Sequence, residues 1–155
     1  MSRTPRAYLK DRTGEVVEAR LVAEMTVEAV AQANASWRSL VEAHRTRLIA
    51  QEIPRAEWPQ HHHWDWANKA ERYGGLLSYR FVGIEHAGTV QGMMMVNLDA
   101  KRCRVLEQQG KPQVYVEYLA AAPWNSPLFV AEPLFTGVGT MLMFAAVQAS
   151  FEQGY

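Results

Sequence analysis

The segment "PLFTGVGTMLMFAAVQASFEQGY" sets the tightest limit on what this chain can fold into. After Gly137-Val138-Gly139 it reads as a helix with apolar residues on two sides: Met141, Leu142, Ala145 and Ala149 on one, Phe144, Val147 and Phe151 on the other. Only Thr140, Gln148, Ser150 and Glu152 remain as a thin polar face. A helix that is apolar on two sides needs cover on both, because an apolar stripe gains free energy only when it leaves water. If the chain ends at Tyr155, the sequence predicts an exposed patch beside an uncovered strand edge, and association through that region as a homo-oligomer or with a partner chain.

The rest of the chain must supply the layers for that helix to pack on. From Val17 to Met25, apolar residues alternate with Glu18, Arg20 and Glu24, the two-residue period of a half-buried strand. Thr26 reads as the N-cap of a long helix that carries Val30, Trp37, Val41, His44 and Leu48 down one side and ends before Pro54. "IPRAEWPQHHHW" reads as a connector, and a short helix from about Asp65 to Tyr73 stops at Gly74-Gly75. Two strand-like runs, Tyr79 to Glu85 and Val90 to Leu98, flank the turn "HAGT". A polar loop from Asp99 to Pro112 leads to the strand "QVYVEYLAAAP", and a loop rich in Pro, Trp and Asn leads to the closing helix. The order strand, helix, short helix, three strands, helix predicts a single α+β domain over residues 1–155, with a mostly antiparallel sheet and flanking helices.

Charge and composition exclude several classes. With 155 residues, 48% hydrophobic, the chain has the length and apolar content to bury a core. Lys+Arg and Asp+Glu balance at 16 each, which removes the basic footprint of a nucleic-acid binder. The basic clusters at Arg3, Arg6, Lys10 and Arg12 and at His44, Arg45 and Arg47 read as solvated surface. Cys103 is the single cysteine, so neither a disulfide framework nor a cysteine-based zinc site is expected. The N-terminus lacks the apolar core of a secretory signal, and the longest apolar runs are too short to span a bilayer. The expected compartment is a reducing cytoplasm.

Gly137 and Gly139 allow positive φ and close approach of a ligand, and the first amides of a helix have no intrahelical acceptor. Together with the helix dipole they form a nest suited to a pyrophosphate. The same two glycines also fit a plain turn between loop and helix. A P-loop would need Lys and Ser or Thr after its last glycine, where Thr140 and Met141 stand. A dinucleotide fingerprint would need a small residue at position 142, occupied by Leu142, and an acidic residue about twenty positions on.

"VYVEYLAAAPWN" followed by "LFTGVGTML" resembles the coenzyme-A-binding region of the GNAT superfamily of N-acetyltransferases, whose motif is Gln/Arg-x-x-Gly-x-Gly/Ala. The upstream order of elements is similar too, so the resemblance covers nearly the whole chain. It implies an acyl-CoA N-acyltransferase-like fold and acetyl-coenzyme A as co-substrate, with an unidentified amine as acceptor. It further implies that backbone groups at Leu119, Ala120 and Ala121 hold the pantetheine arm and the thioester carbonyl. Amides of Phe135, Thr136, Gly137, Val138, Gly139 and Thr140 would then cradle the pyrophosphate. Leu134 stands where the family has Gln or Arg. The family's fifth strand would begin where this chain stops, and its usual general acid, a Tyr, lies beyond.

Acyl transfer needs a deprotonated amine, a stabilised oxyanion and a protonated leaving thiolate. Glu117, two residues before Leu119, is the candidate base, directly or through water; the alternative is an exposed strand carboxylate. Tyr115 and Tyr118 are open between core and site. His61, His63 and Asp65 in "HHHWDW" have zinc-competent side chains, but clustered His beside Trp also serves packing, and no metal is expected. Trp64 and Trp66 are candidates for acceptor binding, and Cys103, between Arg102 and Arg104, reads as a bystander thiol. Two functions follow: an acetyl-coenzyme-A-dependent N-acetyltransferase, or a catalytically silent module for acyl-CoA sensing or protein association.

Overall fold

The computed structural model describes residues 6–59, 65–99 and 101–155. Arg3, His61, His63 and Trp64 lie outside them.

The chain opens with a strand hairpin. β1 (Arg6–Asp11) pairs antiparallel with β2 (Val16–Val22), setting Ala7 opposite Ala19 and Leu9 opposite Val17. Asp11 Oδ1 closes the turn, accepting from Thr13 Oγ1 at 2.6 Å, Thr13 N at 2.9 Å and Glu15 N at 3.0 Å. The alternation read from Val17 therefore belongs to β2, which ends at Val22. β1 was not expected: its buried Ala7 and Leu9 alternate with Arg6, Tyr8 and Lys10, and Arg6 and Lys10 in sequence read as part of a basic surface cluster.

α1 (Val27–Ala50) starts where the sequence places it, with Thr26 Oγ1 accepting from Ala29 N at 3.1 Å. α2 (Trp66–Tyr73) is capped by Asp65, whose Oδ1 accepts from Asn68 N. β3 (Tyr79–His86) and β4 (Thr89–Asn97) are joined through Ala87 and Gly88, both at positive φ (50° and 79°), as a tight two-residue hairpin turn demands. β5 (Tyr115–Ala121), the short β6 (Phe135–Thr136) and α3 (Val138–Glu152) complete the order.

Among the described residues the fold is α+β, with one antiparallel sheet in the order β5-β4-β3-β2-β1-β6 and helices on both faces. One core lies under α1 and α2, where Val30, Trp37 and Trp66 meet Phe81, Met93 and Met95. The other lies under α3, where Leu142 and Ala146 meet Leu9, Leu21, Ile84 and Met94. β3 and β4 are covered on both faces and read as unbroken buried runs. β1 is covered on one face and alternates.

α3 touches side chains from β1 through β5 in a single core. Five strands at ~4.8 Å spacing are wider than a helix of about 10 Å diameter. The sheet must therefore curl around α3. The α3 side with Leu142, Ala146 and Ala149 is buried, whereas Met143, Phe144, Val147 and Phe151 stay exposed, Phe151 by 73%.

Candidate functional site

The end of β5 and the start of α3 meet at one place, and a buried polar cluster fixes the loop between them. Gln91 Oε1 accepts from Trp124 Nε1 at 2.8 Å and from Asn125 Nδ2 at 2.9 Å. Asn125 Oδ1 accepts in turn from Phe135 N at 3.0 Å, and Leu134 N donates to Trp124 O. Both Gln91 and Asn125 are buried, and each bond satisfies a group that would otherwise be costly away from water. Sequence reasoning missed this pair; the only signal was a polar residue inside each of two apolar stretches.

That loop delivers Gly137 at φ 93°, the left-handed conformation that only glycine adopts without cost. Gly139 differs from its expected role. It lies inside the first turn of α3 without positive φ, and an added Cβ would meet only Leu119 Cδ2, at an ordinary 3.9 Å. At the N-cap, Gly137 offers no side chain to accept from the amides that follow. Phe135 N is already committed to Asn125, while the first-turn amides of Val138, Gly139 and Thr140 have no intrahelical acceptor. Gly92 on β4 lets this helix end sit close: any Cβ there would collide with Val138 Cγ1 and press on Ala120 O.

β5 lies at one end of the sheet, and no strand among the described residues covers its outer edge. Ala122 N donates to Gln91 O, and the register places Ala120 opposite Met93. Antiparallel strands alternate hydrogen-bonded and free pairs, so Ala120 spends its backbone groups on β4 while Leu119 and Ala121 point theirs off the edge. Glu117 is the extra residue of a β-bulge, since Tyr118 faces Met95 and Val116 faces Val96. It is half-buried, and its Oε1 accepts from Asn97 Nδ2 at 3.5 Å.

Beside Ala120 and Ala121 opens a cavity of about 220 Å³, walled by α1 and the start of α2. Its floor is apolar, with Trp37, Trp66, Pro123 and Phe129, and its rim carries Arg38, Glu42, Arg45 and Asp65. Trp66 is buried edge-on against Trp37 and Phe81, so it serves as floor and core at once. Tyr118 carries Lys69 Nζ 3.7 Å above its ring. Burial pulls the Lys69 pKa down, opposed by Tyr73 and Asp65 and aided by Arg72, while the ring face favours the charged form.

Tyr115 is exposed on the outer part of β5, next to a broad hollow lined by Lys101, Arg102, Arg104 and the half-buried Cys103. Leu134, also exposed, brings no charge to the turn. Among the described residues no group of three His, Cys, Asp or Glu is placed to hold a metal ion, and no helix is long and apolar enough to cross a membrane. No protein-family model, curated protein or solved structure matches this chain.

Proposed function

We propose that this chain is an acetyl-coenzyme-A-dependent N-acyltransferase of GNAT type, acting on an amine. The observation that carries the reading is one juxtaposition: the uncapped N-terminus of α3 lies against Leu119 of an edge strand whose Leu119 and Ala121 backbone groups are free. Donor amides of Val138, Gly139 and Thr140 suit the pyrophosphate, and free strand groups suit the amide-bearing pantetheine arm, which adds itself like a short strand. The thioester supplies the activated acyl group. Glu117, held by Asn97 in the bulge, takes the proton from the amine, and the cavity beside Ala120 and Ala121 admits the acceptor.

A titration of thermal unfolding with acetyl-coenzyme A tests the reading. A ligand that binds only the native state stabilises it by about 2.7 kcal/mol at a hundredfold excess over Kd. A saturable rise in Tm is expected. In Thr140→Glu the added carboxylate favours the helix N-terminus by about 0.3–1 kcal/mol but repels pyrophosphate. That variant should therefore melt no lower than the parent without ligand and lose the ligand-induced rise. No rise in the parent at millimolar cofactor sinks the proposal.

The exposed row Met143, Phe144, Val147 and Phe151 favours a second reading, an association module that a second copy or another chain covers at α3. A chain that stays a dilute monomer in sedimentation counts against it.

A further inference from the structure

We propose that the acceptor amine also bears a carboxylate, which the cavity holds on Arg38 and Arg45 while the amine lies toward Asp65 and the floor at Ala120 and Ala121. The inference rests on the acyl-transfer reading for its chemistry, but its charge pattern is testable without coenzyme.

The stripe of α1 that walls the cavity runs Asn34, Arg38, Val41, Arg45, spaced three and four residues apart as one helix face requires. Its two guanidiniums stand two turns apart, about 10.5 Å along the axis at 1.5 Å per residue, within reach of one bound anion through their long side chains. A cavity meant for a plain amine would be rimmed by carboxylates alone, because a guanidinium beside an ammonium costs Coulomb energy. This rim carries both signs. Arg38 and Glu42 are one turn apart, yet among the described residues they form no ion pair with each other, so Glu42 does not neutralise Arg38 across the turn. Arg45 is half-buried, and there a guanidinium gains more from a carboxylate than it does in open water. A cavity of about 220 Å³ has room for a small molecule rather than a polymer segment. The apolar floor accepts a hydrocarbon or aromatic side chain.

The reaction balances without a further reactant. The acceptor, bound as an ammonium, first gives up one proton to solvent; the amine nitrogen then forms a bond to the acyl carbon, the carbon–sulfur bond breaks, and a second nitrogen proton passes through water to Glu117 and on to the leaving thiolate. The acceptor's carboxylate takes no part and serves only to orient it.

The test pairs amino acids with their decarboxylated amines: L-phenylalanine with phenethylamine, L-leucine with isopentylamine, L-methionine with 3-methylthiopropylamine. Binding is read from the indole N–H resonances of Trp37 and Trp66 in the full chain, without coenzyme. At least one amino acid is expected to saturate at a concentration about tenfold lower than its amine, the size of one charged hydrogen-bonded contact. Arg38 is exposed, so Arg38→Gln should leave the fold intact by thermal melting and narrow that gap. A gap that Arg38→Gln leaves unchanged overturns the proposal, as does equal binding within every pair or no response from any probe. The acetyl-coenzyme A titration reports separately: a carboxylate-dependent gap with no coenzyme response retains the pocket chemistry and removes the acyl transfer. A coenzyme response with no gap does the reverse.

Discussion

Asn125 is the residue on which the geometry of the site most depends. It ties Gln91 at the start of β4 to Phe135 just ahead of the α3 turn, so its amide spans the structure from sheet to nest. Asn125→Ala would leave the Phe135 N–H and the Gln91 amide short of partners in a buried place. The expected cost is about 1–3 kcal/mol, measurable by denaturant unfolding, together with a weaker acetyl-coenzyme A response. The two turn glycines separate just as clearly. Gly137→Ala forces a Cβ into the left-handed region and should cost about 1–2 kcal/mol. Gly139→Ala meets only ordinary contact inside a helix and should be neutral or stabilise by up to about 1 kcal/mol. In the sequence the two are indistinguishable, because which of them has positive φ depends on where the helix starts, and the Asn125 bond upstream sets that.

At the scale of elements, what periodicity encodes was legible and what long-range pairing decides was not. The Thr26 cap, α2 behind Asp65, the hairpin at Ala87-Gly88 and the two apolar sides of α3 each follow from local residue pattern. β1 escaped because a six-residue strand with charged outward positions carries too few apolar residues to stand out from surface. Its turn is held by Asp11, whose carboxyl is kept below the ordinary carboxylate range first by the Thr13 hydroxyl, opposed by desolvation, with backbone bonds from Glu15, Thr13 and Gly14 adding to the lowering. The more acidic folded value fixes the sign. The contribution is complete above the unfolded value of about 3.9 and disappears as pH falls through the lower folded one. Asp11→Asn should therefore melt below the parent at pH 7, and the two curves should draw together as acid protonates the carboxyl in the folded chain. A difference that stays constant throughout the acid titration would show that charge on Asp11 is not the stabilising part.

For the whole molecule, the α+β class and the antiparallel pairing followed from the order of elements, while the curl of the sheet did not. Curling is set by α3 touching β1 and β5 at once and by β6 closing on β1, contacts that no window of sequence contains. The candidate site divides the same way. Its glycine turn and its strand were visible as motifs, whereas the bulge at Glu117, the outward groups of Leu119 and Ala121 and the cavity wall on α1 emerge only from pairing and packing. The β6–β1 pairing also bears on how the chain is made. Lys10 meets Thr136, so the outer edge of β1 gains its partner only after the ribosome has added 126 further residues. At about 5–20 residues per second that wait is ~6–25 s. Throughout it, a strand with buried-type Ala7 and Leu9 has one open edge, kept from pairing with other nascent chains chiefly by the charges of Arg6 and Lys10. Synthesis is thus the stage at which the outer edge of β1 is most exposed to aggregation, and the turn at Gly137 follows directly on the strand that covers it.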